Sequence, residues 1–158
     1  MKEELKKKLN EFYKDASREE LILMLLAARK RDKPMYRKKI TIKPAEMEKV
    51  EDIMRIFGPY IREHCYIDIL ISSKFGIIRM DTEGDISQYS NADELFHGLI
   101  ISILYDIREV SRKRVNIKQE EEEDIRRRAV PLIEQLQDSQ HYMKLLEDFL
   151  EDFRENDV

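Results

Sequence analysis

Tyr66-Ile67-Asp68-Ile69-Leu70-Ile71 decides the fold class. The run is short, rich in β-branched and aromatic residues, and followed by Ser72-Ser73-Lys74, which reads as a turn. A buried strand has this composition and length, whereas a helix needs ten or more residues at 3.6-residue spacing. Phe75 to Met80 reads as the returning strand, Thr82-Glu83-Gly84-Asp85 as a second turn, and Ile86 as the start of a short third strand. The region therefore predicts a β-meander.

Upstream, Tyr36, Lys38, Ile40 and Ile42 alternate with Arg37, Lys39, Thr41 and Lys43, the period of a half-buried strand with one mostly basic face. Pro44 suits the first turn of a helix, and Met47, Val50, Met54 and Phe57 mark its apolar stripe. Gly58-Pro59 reads as its stop signal, with a short turn from Tyr60 to His64 leading into the strand. Two further helices are expected near the start, over 2–14 and from about Arg18 to Arg31. Ser17 and Glu20 form a capping box for the second, whose Leu21–Leu26 core is apolar all round.

Downstream, Ser90 or Asn91 caps a helix over 92–113, whose wide face from Leu95 to Val110 marks it as the central core helix. The run Glu120–Asp124 opens another helix, with Arg126, Arg127 and Arg128 placed four residues after Glu122, Glu123 and Asp124. Pro131 predicts a kink there or a break into two pieces. Asp138-Ser139 then caps a last helix, with Tyr142, Leu145, Leu146, Phe149, Leu150 and Phe153 along one side. The fold class expected is α+β: mostly helical, with a small three- to four-stranded, mainly antiparallel sheet packed against a central helix. All of 1–158 reads as a single domain, with an N-terminal helix pair (2–31), the sheet and core helices (36–114) and C-terminal helices (118–155).

The charged fraction is 39%, yet the apolar residues are periodic, so the composition argues for a packed core rather than disorder. Cys65 is the lone cysteine, which rules out an internal disulfide and points to a reducing compartment. The charged N-terminus and the short apolar runs give no signal core and no membrane span, so a cytoplasmic protein is expected.

Charge is unevenly distributed. Residues 1–43 carry 14 Lys/Arg against 7 Asp/Glu, and residues 116–158 carry 6 against 13. Arg29, Lys30, Arg31, Lys33, Arg37, Lys38, Lys39 and Lys43 form a basic cluster able to neutralise several phosphates. Only Tyr36 lies among them as a stacking aromatic.

Three smaller constellations are weaker. Glu94 and His97 make one Glu-x-x-His step, but a di-metal bundle needs two. Asp81, Glu83 and Asp85 open like a calcium loop, yet Ile86 and Ala92 stand where Gly and Glu are required. His64 and Cys65 are adjacent on a segment expected to be extended, which turns neighbouring side chains apart. No Gly-rich phosphate loop or nucleophile elbow occurs.

The residues therefore assign no catalytic, cofactor-binding or metal-binding role. They point first to a non-enzymatic protein–protein interaction or regulatory domain, with a second copy as one candidate partner. The rivals are a nucleic-acid-binding regulator using 29–43 and a small enzyme with an unrecognised site.

Overall fold

The computed structural model describes residues 39–72, 74–80, 86–108 and 116–154. The expected helices over 2–31, the basic residues Arg29 to Lys38 and the acidic turn at 81–85 lie outside them. Within the described residues the fold is α+β, with four helices and a three-stranded antiparallel sheet. None of these helices is long and apolar enough to cross a membrane. The residues fall into two compact units, 39–42 with 67–90 and 43–66 with 91–154.

In the first unit, β1 (Asp68–Ser72), β2 (Gly76–Met80) and β3 (Ile86–Tyr89) lie in sequence order, as a meander requires. Asp68 pairs with Met80 at one end of the first hairpin and Ser72 with Gly76 at the other. The Ser72 hydroxyl accepts hydrogen bonds from the Lys74 and Phe75 N–H groups, at 3.2 and 2.9 Å, and so fixes the turn. The central strand β2 is buried throughout.

The segment at 39–42 keeps its alternation, with Lys39 and Thr41 exposed, Ile40 half-buried and Ile42 buried. It forms an isolated parallel bridge between Ile40 and Phe75 rather than a full strand. Gly76 is required where it stands. Its φ is +75°, and a Cβ there would lie 2.7 Å from the Tyr89 carbonyl oxygen and 2.9 Å from Ile40 Cγ2. Gly76→Ala is expected to destabilise the protein by at least ~1–2 kcal/mol from the backbone conformation alone, measured as a lower urea midpoint.

In the second unit, α1 runs unbroken from Pro44 to Cys65, which corrects the expected stop at Gly58-Pro59 and the expected turn at 60–64. Pro59 costs the helix one hydrogen bond and crowds the carbonyl four residues back. The apolar face formed by Val50, Ile53, Phe57 and Ile61, all with no exposed surface, continues through the site and holds the helix together. The true stop is Tyr66, in the left-handed conformation (φ 54°, ψ 41°) and 73% exposed. It therefore caps α1 and does not begin the strand. Because Pro59 is exposed and sits in a helix interior, Pro59→Ala is expected to stabilise the protein by up to ~3 kcal/mol, read as a raised melting temperature.

α2 (Ala92–Arg108) starts where Asn91 Oδ1 accepts the Glu94 N–H at 2.9 Å, the expected cap. α3 (Gln119–Ile133) is continuous through Pro131, so no break occurs there. The proline lies in the last turn, and the helix ends two residues later. α4 (Ser139–Asp152) packs against α2 and α3 through Tyr142, Leu146, Phe149 and Leu150. Its apolar face is thus spent within its own unit. The aromatic core centres on Phe96, whose ring meets Phe57 edge-on at 6.0 Å and Tyr142 at 5.1 Å.

Candidate functional site

The residues singled out in the sequence do not converge. Lys39 and Lys43 are exposed, and the other six members of the basic cluster lie outside the described residues. Glu94 and His97 are both exposed on α2, and the His97 ring lies 5.9 Å from that of Phe149. His64, at the exposed end of α1, has its ring 4.4 Å from Tyr60, while Cys65 is half-buried. Among the described residues no group of three or more His, Cys, Asp or Glu side chains could hold a metal ion.

The structure instead shows how the charges of the helical unit are used. The i,i+4 pairs expected along α3 do not form. Arg126 grips Glu147 of α4 through two hydrogen bonds of 3.0 and 2.8 Å, Arg127 turns to Asp124, and Arg128 reaches Asp106 of α2. Glu122, buried under the end of α4, is held by Arg154 at 2.9 Å. Arg108 binds Glu121 through two nitrogens and also donates to the Asn116 carbonyl. Most of these arginines therefore tie helices together, because the tertiary carboxylates are better placed for a planar fork than neighbours on the same helix.

This pairing consumes cations and leaves acid. The described residues of the unit hold 11 Lys/Arg and 19 Asp/Glu, a net charge of −8. Seven of those eleven cations lie in ion pairs: Lys49, Arg55, Arg108, Arg126, Arg127, Arg128 and Arg154. On α4 the residual acid opposes the helix dipole. Asp148, Glu151 and Asp152 are exposed at its C-terminal end, whose last turn holds no base, and no acid stands in its first turn; Arg154, just beyond the helix, is drawn to Glu122. The negative pole of a helix disfavours each such carboxylate by about 0.3–1 kcal/mol, so helix stability does not account for them.

A second acidic feature is built around Tyr142. Glu46, in the first turn of α1, accepts the Ala92 N–H at the start of α2 at 3.0 Å. Next to it, Asp93 Oδ1 bonds the His141 ring at 3.0 Å. Asp52 takes the Gln137 N–H at 2.9 Å, one residue before Asp138. The starts of α1, α2 and α4, with Asp52 two turns into α1, thus set four carboxylates around Tyr142. Tyr142 lies among them, 2% exposed, and its hydroxyl has no hydrogen-bond partner. Such a group costs about 1–3 kcal/mol when left unsatisfied. Burial first, then the charges of Asp93, Glu46, Asp138 and Asp52, push its ionisation above the ordinary phenol range, so the hydroxyl stays neutral.

Sequence reading placed Tyr142 on the apolar stripe of the last helix and gave Asp93 no functional role. Nothing local signals that these groups meet. No protein-family model, curated protein or solved structure matches the chain.

Proposed function

We propose that this chain is a non-enzymatic protein-interaction domain whose helical unit binds a basic polypeptide segment. The observation that carries this reading is the acid left over after the arginines have been spent between helices, above all at the end of α4, where it opposes the dipole. A departure from local charge rules with no local compensation is expected where a surface meets a partner. Complementary positive charge would steer the partner in and fix its register. Residues 1–43, with 14 Lys/Arg against 7 Asp/Glu, make a second copy one source of such a segment. In that case the protein associates with itself.

Fluorescence anisotropy of a labelled oligolysine peptide tests this. Binding is expected at low salt and should weaken steeply as salt is added. The triple variant Asp148→Asn, Glu151→Gln, Asp152→Asn is expected to bind about tenfold more weakly, since each exposed pair contributes up to ~1 kcal/mol. If the peptide fails to bind while duplex DNA binds, and Lys39→Ala with Lys43→Ala weakens the DNA complex, the basic segment is the working surface instead.

A further inference from the structure

The acidic junction at the starts of α1, α2 and α4 contains what a general acidic surface lacks, a buried hydroxyl with both its donor and acceptor capacity unspent. Among the described residues Tyr142 Oη is the one buried side-chain polar atom left without a partner. The carboxylates around it are each partly committed. Glu46 Oε2 holds the Ala92 N–H while its Oε1 faces the exposed Lys49 ammonium at 3.8 Å, beyond hydrogen-bond distance; Asp93 Oδ1 holds His141, and Asp52 uses one oxygen for Arg55 and the other for Gln137. Glu46 and Asp93 therefore each keep one oxygen without a hydrogen bond rather than a free carboxylate edge, and the one on Glu46 already draws an ammonium, that of Lys49.

That pattern discriminates among cations. A guanidinium is a planar fork that seeks both oxygens of one carboxylate. A bare metal ion needs several ligands converging on one point, and no such group of three occurs among the described residues. An ammonium is a compact charge with three donors, suited to separate single acceptors. We propose that Tyr142, Glu46 and Asp93 form a subsite for one lysine side chain. Its ammonium donates hydrogen bonds to the two carboxylates and to Tyr142 Oη. The inference rests on the reading that the helical unit binds a basic segment, and it names the anchor of that segment. Access asks for rotation of Asp93 and His141, whose side chains are 48% and 41% exposed. The lysine stem would lie along the edge of the aromatic core, where the Tyr142 and His141 rings meet edge to face at 4.9 Å.

The test compares two peptides of equal charge on the full chain, oligolysine and the same peptide with every lysine trimethylated. Trimethylation keeps the charge but removes the N–H donors. The parent chain is expected to bind oligolysine about tenfold more tightly than the trimethylated peptide, the effect of one charge-assisted hydrogen bond network. Tyr142→Phe keeps the ring and removes only the hydroxyl, so its melting temperature should not fall. In that variant the preference between the peptides should largely disappear. Asp93→Asn, at an exposed position, gives a second variant that should narrow it as well. If Tyr142→Phe and Asp93→Asn both retain the parent's preference, the subsite is overturned while the broader reading stands. If the parent binds both peptides equally, the subsite is overturned in the same way. If the parent binds neither, the broader reading falls and the subsite with it.

Discussion

Phe96→Ala will lower the unfolding free energy by about 3–5 kcal/mol, the cost typical of deleting a fully buried aromatic ring. Phe96 has no exposed surface and sits where α1, α2 and α4 meet, in contact with the rings of Phe57 and Tyr142. The loss has two sources: the apolar transfer energy of the ring, and the cavity its neighbours only partly fill. The edge-to-face geometry with Phe57 at 85° adds a smaller contribution. Phe96→Leu, which restores much of the volume, should cost only about 1–1.5 kcal/mol. Urea titration followed by circular dichroism measures both. Equal losses for the two variants would mean that the ring geometry, not the volume, is what the core requires.

The second large effect lies outside the apolar core. Arg108→Met will cost about 3 kcal/mol, because it strands the Glu121 carboxylate in a place from which water is largely excluded. The two side chains retain only 9% and 15% of their exposure, and the guanidinium also serves the Asn116 carbonyl. The double variant Arg108→Met, Glu121→Met should recover most of that loss, since two apolar side chains of similar size need no pairing.

Acidity gives an independent readout of the same pair. The Arg108 guanidinium holds the Glu121 carboxyl below the usual carboxylate range, against the opposing effect of burial, with the Lys118 N–H assisting. A carboxylate depressed in the folded state stabilises the fold fully above its unfolded pKa. That contribution is lost as pH falls through the folded value. The parent should therefore lose more stability on acidification than the double variant does. Arg126 acts on Glu147 in the same direction, so part of the acid sensitivity will remain.

How much of this was legible in the sequence varies with the range of the forces involved. The meander was readable because Ile67 to Ile71 and Phe75 to Met80 signal strands on their own, and Ser72 to Lys74 signals its turn. The Asn91 cap was readable for the same reason. Gly58-Pro59 misled, because a local stop signal was outweighed by an apolar face that continued to Ile61, and the stop fell instead on Tyr66, whose residue type does not announce a left-handed cap. The arginines of α3 misled in a related way. Glu122, Glu123 and Asp124 are correctly spaced for Arg126, Arg127 and Arg128, but Glu147 and Asp106, brought close only by folding, displaced two of the three. The acidic junction was invisible for this reason too. Glu46, Asp52, Asp93 and Tyr142 come from three helices, and each has an ordinary local explanation. The excess acid of the C-terminal third, by contrast, was visible in the charge count alone.

Amide chemical-shift mapping on the full chain, titrated with oligolysine, tests the proposed interaction most directly because it reports where the peptide sits. The account predicts perturbations at the starts of α1, α2 and α4 and at Asp148–Asp152, with the sheet residues 68–80 little changed. Perturbations absent at low salt, or spread evenly over the surface without those two clusters, would contradict it.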